Sequence, residues 1–261
     1  MAARTFAHAL GTVLAQRHPE LTCAPRLLIT SSPYSYVPTA ANTLARCLRQ
    51  VLNEVRTRCG LAEAPLVQVD RTHPSSGDYG TLSASARDQL MAINDLSFRR
   101  FAPRAVRDAE LLIVDDVRVT GAHQRCLVRA SDSLPLAGRT FVYIASFGIP
   151  ASGRVDPTQE DALNHAAIRS LGDLATIVRA GDFAWNVRVC KFVLDPANRG
   201  DLPRFLALMP GWFVRDLHRN SCRDGYAQMN RYSPSHAMVG SEMAARASTP
   251  GRIPPCQIPL G

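Results

Sequence analysis

The chain has 261 residues, of which 46% are hydrophobic, and it carries a formal net charge of +8 at pH 7. This apolar content is enough for the core of one large domain, or of a domain with an appendage. No apolar run approaches the roughly 20 residues needed to cross a bilayer, and the amino-terminal segment lacks the apolar centre of a signal peptide. We therefore predict a soluble cytoplasmic protein without a membrane partner.

The cysteines support the same compartment. There are seven, they are scattered along the chain, and no two of them form a CxxC pair. The odd number and the spacing argue against a disulfide framework or a zinc site, and for reduced thiols in a cytosol.

The positive charge limits the kinds of partner. It suits a polyphosphate ligand, and it would also suit a nucleic acid. However, the basic residues are spread along the chain and no motif combines aromatic with basic residues. Nucleic-acid binding is therefore the weaker interpretation.

The first part of the chain predicts a helix, a buried strand and a longer helix. Apolar residues recur with helical spacing over residues 1–18, and Leu27–Thr30 is a short apolar run typical of a buried strand. The next loop, over residues 31–39, is rich in hydroxyl groups and contains no basic side chain. A helix is predicted from about Ala40 to Arg58.

A second strand is predicted over Leu66–Asp70, and a polar, turn-rich loop follows over residues 71–80. Gly77 and Gly80 permit hinge motion in this loop, and a mobile loop of this kind closes over a site and excludes water. Apolar spacing then predicts a helix over Thr81–Phe98.

The stretch from Leu111 to Gln124 carries most of the functional information. Its four leading apolar residues predict a strand buried on both faces of a parallel sheet. That strand ends in Asp115 and Asp116, and a turn at Gly121 opens a helix. Ligands of open α/β sheets bind at the carboxyl ends of strands. Amide groups at such a turn suit a phosphate, and paired acids suit hydroxyl groups or Mg²⁺. A sugar phosphate meets all of these requirements.

The remaining chain predicts one more α/β repeat and then a change of pattern. We expect a strand over Thr140–Phe147, a helix from Asp156 to about Gly172, and a last core strand over Leu174–Val178. Apolar spacing predicts three later helices: Val187–Leu194, Leu202–Met209 and Trp212–Met229. The resulting organisation is an α/β domain over 1–183 with its core at about 20–180, a helical extension over 184–232 and a tail over 233–261. The tail is rich in Pro, Ser and Gly, which predicts poor packing.

The apolar strand, the two acids and the Thr120-Gly121 loop resemble the phosphoribosyl-diphosphate (PRPP) signature of type I phosphoribosyltransferases. Val119 and His123 depart from the commonest pattern, in which Thr or Ser is frequent at these positions. The sequence resembles a divergent branch of the family that is associated with bacterial tellurite- and stress-resistance gene neighbourhoods. The resemblance implies a parallel-sheet α/β core with helices on both faces, followed here by a helical carboxyl-terminal extension.

The resemblance also implies a reaction and the residues that perform it. The reaction is transfer of the 5-phosphoribosyl group from PRPP to a nitrogenous, nucleobase-like acceptor with release of pyrophosphate. Asp115 and Asp116 would hold the ribose hydroxyls and Mg²⁺, and Arg71 and His73 on the mobile loop would meet the pyrophosphate. The 5′-phosphate would be held by Val117, Arg118, Val119, Thr120, Gly121, Ala122 and His123. Pyrophosphate would contact the loop that contains Ser31, Ser32 and Tyr34, and the acceptor would lie near Phe183 and Trp185. Family members are commonly homodimers.

Several alternatives stay open. Asp115 and Asp116 could simply be the solvated end of a strand, and the loop over residues 31–39 could be a surface loop without a ligand. His73 could be a structural or solvated residue, and Trp185 could be an ordinary core residue. A second hypothesis about function also stays open. It is based on the departures at Val119 and His123 and on the absence of a basic residue from the loop over residues 31–39. It is a non-catalytic sensor of PRPP or a nucleotide that retains the pocket without turnover.

Overall fold

The computed structural model describes residues 2–71, 96–98, 103–118, 121–146, 168–181 and 183–248. The chain divides into two compact units. The first comprises Met1–Arg169 with Ala184–Arg188, and the second comprises Ser170–Phe183 with Val189–Gly261. Within the described ranges, no helix combines the length and the apolar character needed to cross a membrane.

In chain order the strands of the first unit are β1 (Leu27–Ser31), β2 (Asp70–Arg71), β3 (Leu96–Ser97), β4 (Glu110–Arg118) and β5 (Gly138–Ser146). Three of them form a parallel sheet in the order β1-β4-β5 at the centre of the unit. The other two, β2 and β3, form a separate antiparallel pair. The helices of this unit are α1 (Ala2–Arg17), α2 (Pro19–Thr22), α3 (Ala40–Arg58), α4 (Pro103–Val106) and α5 (Ala122–Ser131).

Both faces of this sheet are covered. Alternate residues of each strand point to opposite faces, so Leu112 packs in one cluster with residues of α1 and α3, while Leu111 packs in another with Leu127 of α5. Burial on both faces explains the uninterrupted apolar run Leu111–Val114 in β4. The predicted α/β fold with a parallel sheet is confirmed.

Two predictions in this unit need correction. Leu66 makes only an isolated parallel bridge to Ile29, so the predicted strand over Leu66–Asp70 is not a regular one. Leu96–Ser97 is a strand and not the end of a helix, because it pairs with Asp70–Arg71. Residues 81–95, which carry most of that predicted helix, lie outside the described ranges.

In the second unit, the described elements are helical. They are α6 (Leu171–Arg179), the greater part of α7 (Val187–Leu194), α8 (Leu202–Leu208), α9 (Gly211–Arg223) and α10 (Ser233–Ala247), with short 3-10 helices at Pro196–Asn198 and Tyr226–Gln228. Buried Phe205, Phe213 and Leu217 lie in its apolar interior. The helices predicted from Val187 onward are confirmed, except that α9 ends at Arg223.

Three further predictions need correction. Leu174–Val178 is not a core strand but part of α6, because Ser170 and Asp173 form a reciprocal capping box that starts a helix. The helix predicted from Asp156 does not reach Gly172, because residues 168–170 are not helical. Residues 156–167 of that predicted helix lie outside the described ranges. Ser233–Ala247 is a helix with a fully buried Val239, so this part of the predicted tail is packed.

Candidate functional site

The parallel pairing of β1 with β4 brings two polar segments together at one edge of the sheet. Ser31 lies opposite Val114, so the next residues along both strands, Ser32 and Asp115, are neighbours. The Ser32 hydroxyl donates a hydrogen bond of 2.7 Å to Asp115 Oδ1. This contact joins the loop after β1 to the acid pair after the apolar run of β4.

Asp115 is enclosed by hydrogen-bond donors. It is 9% exposed, its Oδ2 lies 3.1 Å from Nδ1 of His123, and its Oδ1 also accepts the backbone N–H of Asp116 at 3.1 Å. Burial alone would raise the pKa of Asp115, but the hydrogen bonds and charge of His123, together with Ser32 and the Asp116 amide, hold this pKa below its ordinary value. Asp115 is therefore an ionised carboxylate that is already well satisfied by the protein.

Asp116 differs from its neighbour. Its Oδ1 accepts the backbone N–H of Val117 at 2.9 Å, and its Oδ2 forms an ion pair of 2.9 Å with Arg188. The side chain of Asp116 is 21% exposed and that of Arg188 is 42% exposed. Because a partly solvated ion pair contributes little stability, Asp116 is the acid of the pair that can exchange its partner for a ligand.

Arg188 was not predicted from the sequence. The loop over residues 31–39 has no basic side chain of its own, and Arg188 lies far along the chain. The backbone N–H of Val187 donates to the carbonyl of Pro38 at 3.0 Å, which fixes the start of α7 beside this loop. Thr39 then caps α3 by accepting the N–H of Asn42. The structure thus places a cation beside the loop and the acids.

The turn before α5 has the backbone expected of an anion site. Gly121 adopts φ 71°, a left-handed conformation that a residue with Cβ rarely takes, and it caps a helix of ten residues. Arg118, at the exposed end of β4, places its guanidinium over Gly121. Val119 and Thr120 lie outside the described ranges, and for Ala122 only the helical backbone is described.

His123, predicted to meet the 5′-phosphate, directs Nδ1 to Asp115. Its other ring nitrogen, Nε2, is buried and has no hydrogen-bond partner among the described residues. Buried polar atoms are normally paired, so this nitrogen is a group at the site that a ligand oxygen would satisfy.

Tyr143, on the neighbouring strand β5, borders the same edge of the sheet. Its hydroxyl donates to Gln124 Oε1 at 3.1 Å. Burial, with a smaller contribution from the negative charge of Asp115, raises the pKa of Tyr143 to about 12. The phenol therefore stays protonated and serves as a hydrogen-bond donor beside the acids.

The other predicted site residues are placed as follows. Tyr34 is half-buried, and its carbonyl accepts a hydrogen bond from Gln68. Trp185 is half-buried in the first unit, whereas the ring of Phe183 packs in the second unit, 5.5 Å from that of Phe213 between centroids. Arg71 lies in β2, and its side chain, like the whole of His73, lies outside the described part of the chain.

The fold and this edge of the sheet define an α/β protein of the phosphoribosyltransferase type. A family model described as PRTase ComF-like matches residues 2–239. The chain belongs to this PRTase ComF-like family, which confirms the phosphoribosyltransferase resemblance seen in the sequence. No curated protein matches the chain.

Proposed function

We propose that the protein binds PRPP at the carboxyl edge of β1 and β4 and transfers its phosphoribosyl group to a nitrogenous acceptor. The observation that carries this proposal is the unequal pair of acids beside the Gly121 turn. Asp115 is satisfied by the protein, while Asp116 is partly open and paired with a cation that a ligand can displace. An open carboxylate next to an amide-lined turn suits a molecule with adjacent hydroxyl and phosphate groups.

In this proposal the two acids have different roles. Asp116 accepts hydrogen bonds from the ribose hydroxyls. Asp115 positions the strand end and, through Oδ2, orients His123 so that Nε2 faces the ligand. The Gly121 turn and the amino terminus of α5 hold the 5′-phosphate through backbone N–H groups. The negative charges of the acids also stabilise the positive charge that develops at C1 of the ribose.

Mg²⁺ is the metal that the site would use. It is a hard cation that prefers carboxylate and phosphate oxygens, and the partly exposed carboxylate of Asp116 provides such an oxygen. Asp116, with Asp115 behind it, would hold the ion, and the ion would supply neutralisation of the charge on the leaving pyrophosphate.

Arg188 supplies the cation that the loop over residues 31–39 lacks. When the ribose takes Asp116, the released guanidinium is placed beside that loop by the Val187–Pro38 hydrogen bond. An arginine binds phosphate oxygens through two parallel hydrogen bonds. We expect Arg188 to contact the pyrophosphate, together with Arg71 and His73 if the loop over residues 71–80 closes over the site.

The chemical step is a substitution at C1. The bond between C1 and the pyrophosphate oxygen breaks, and its electron pair leaves with pyrophosphate. The acceptor nitrogen forms the new bond to C1 with its lone pair and releases its proton to solvent. The task of the protein is to position the reactants and to stabilise charge. Trp185, half-buried in the same unit, is the proposed stacking surface for the acceptor ring.

A second candidate function is a PRPP or nucleotide sensor without turnover. The contact that favours it is the internal engagement of His123 by Asp115, because His123 occupies a position at which a hydroxyl donor to phosphate is frequent in the resembled family. A sensor needs the acids and the turn for affinity but needs no group that stabilises the leaving pyrophosphate.

Isotope exchange separates the two functions. The protein is incubated with PRPP, Mg²⁺, labelled pyrophosphate and a panel of bases and nucleotides. Appearance of label in PRPP in the presence of one acceptor or its nucleotide supports the transferase. PRPP binding in calorimetry without any exchange supports the sensor, and absence of PRPP binding contradicts both.

A further inference from the structure

Three side chains of the second unit converge between α9 and α10. His218 and Cys222 lie one turn apart on α9, and His236 lies on α10. One ligand atom from each, an imidazole nitrogen or the thiol sulfur, lies within 4.8 Å of the other two. The function proposed for the first unit uses none of them.

The distances suit a tetrahedral metal ion. Cys222 Sγ lies 3.3 Å from Nε2 of His236 and 3.9 Å from the ring nitrogens of His218. With zinc–nitrogen and zinc–sulfur bonds of about 2.0 and 2.3 Å, a tetrahedral site separates sulfur from nitrogen by about 3.5 Å. The observed distances lie on either side of this value.

The helices hold the ligands in place. Leu217, next to His218, and Val239, one turn after His236, are both fully buried, which anchors the two helices beside the cluster. The rings of His218 and His236 are stacked with 5.0 Å between their centroids. Cys222 is exposed, so an ion reaches the site from solvent.

We propose that His218, Cys222 and His236 form a site for a transition-metal ion, with Zn²⁺ as the best match, that ties α9 to α10. A thiolate and two imidazoles are the ligands that zinc prefers over magnesium or calcium. Three protein ligands leave a fourth position for water. The sequence argument against zinc rested on the odd number of cysteines and the absence of a CxxC pair, whereas this cluster uses one cysteine with two histidines from different helices.

The test is metal titration of the full chain in the presence of a phosphine reductant. We expect one Zn²⁺ to bind per chain and the apparent melting temperature to rise. Cys222→Ser and His236→Asn should each weaken binding by roughly a hundredfold, as the loss of one ligand from a zinc site does. Matched controls are Cys59→Ser and His8→Asn, which remove an exposed cysteine and an exposed histidine outside the cluster, and these should bind as the wild type does.

Co²⁺ gives a readout on the wild-type protein that does not depend on a variant folding. We expect a sulfur-to-cobalt charge-transfer band that disappears on addition of Zn²⁺. Absence of zinc binding by the wild type, absence of the band, or equal losses in the cluster variants and the controls would each overturn the proposal.

Discussion

The two units of the protein gather different kinds of polar atom. The first collects carboxylate and hydroxyl oxygens at the end of a parallel sheet, around Asp115 and Asp116, and adds a cation from Arg188. The second collects imidazole nitrogens and a thiol between two helices. Carboxylate oxygens accept hydrogen bonds from sugar hydroxyls and coordinate Mg²⁺, while imidazole nitrogens and thiolate sulfur are the ligands that zinc prefers. The two proposals therefore assign ligand binding to the carboxyl ends of the strands in the first unit and a stabilising metal ion to the second.

The units also differ in how they stabilise themselves. In the first, the guanidinium of Arg56 is 1% exposed and donates to the carbonyls of Thr22, Ala24 and Ala62. In the second, aromatic rings pack edge to face, as Phe205 does with Phe213. The chain has two tryptophans, and Trp185 lies in the first unit and Trp212 in the second. Single-tryptophan variants therefore report on each unit separately.

The largest effect is expected for Arg56→Met. It leaves the carbonyls of Thr22, Ala24 and Ala62 without their donor, the first two in buried contacts, which should lower the free energy of unfolding by about 3 kcal/mol. Urea unfolding followed by Trp185, in a Trp212→Phe background, should show this loss. The matched control, Arg58→Met, removes an exposed arginine from the same helix and should have little effect. An equal shift reported by Trp212, with Arg56→Met in a Trp185→Phe background, would show that the two units unfold together.

The two acids should separate stability from binding. Asp115→Asn places an amide group against donors from Ser32 and His123, which should cost about 2 kcal/mol. Asp116→Asn removes only a partly solvated ion pair and should cost less than about 1 kcal/mol. Urea unfolding of both variants measures this difference, and equal costs would contradict the unequal roles assigned to the acids.

Stability should also depend on pH through Asp115. Because its pKa in the folded protein lies below the ordinary value, the unfolded chain binds the proton more tightly. The stabilising contribution of Asp115 to the free energy of unfolding is therefore fully present above about pH 4, the ordinary pKa of an aspartate. It is lost as the pH falls through the lower pKa of Asp115 in the folded state. Unfolding midpoints measured across this window should fall in the wild type and fall less steeply in Asp115→Asn. If the midpoints of the wild type and Asp115→Asn fell equally steeply with pH, Asp115 would not be the source of the pH dependence.

Arg188→Gln should weaken the binding of pyrophosphate-containing ligands by about tenfold, since one charge-assisted contact is lost. The stability of the first unit should change little because the side chain is 42% exposed. The control is Arg17→Gln, which changes the charge equally at an exposed position of α1. Equal affinities for Arg188→Gln and the wild type at low salt would remove Arg188 from the site.

A small effect is expected for Ser170→Ala. It removes one side of the capping box of α6 and should cost about 1 kcal/mol, seen by Trp212 in a Trp185→Phe background. Ser241→Ala, within α10, is the control because its hydroxyl donates to the carbonyl of Ala237 in the same helix. An unchanged midpoint in Ser170→Ala would mean that the cap does not stabilise α6.

The sequence predicted the central strand β4 and the acids after it because their signal is local. The run Leu111–Val114 and the two acids after it are contiguous, and the glycine turn follows within a few residues. Leu174–Val178 was mistaken for a strand because its β-branched residues outweighed the capping signal at Ser170 and Asp173. Helix α10 was missed because the composition was averaged over a segment whose prolines and glycines lie mostly after residue 248.

The rest of the site could not be predicted because it is assembled by tertiary contacts. Arg188 reaches Asp116 only because Val187 is held by Pro38, and no local pattern marks that arginine. The proposed zinc site is an intermediate case. The spacing of His218 and Cys222 by four residues in a predicted helix places both on one face, but the third ligand comes from a helix that was not predicted.

The most direct test is a calorimetric titration of PRPP with Mg²⁺ into the wild type and Asp116→Asn. Asp132→Asn serves as the control because Asp132 also pairs with a single arginine at the surface of the same unit. We predict that the wild type and Asp132→Asn bind PRPP equally, and that Asp116→Asn loses at least about tenfold in affinity. Unchanged affinity in a folded Asp116→Asn would contradict the assignment of this edge of the sheet as the PRPP site.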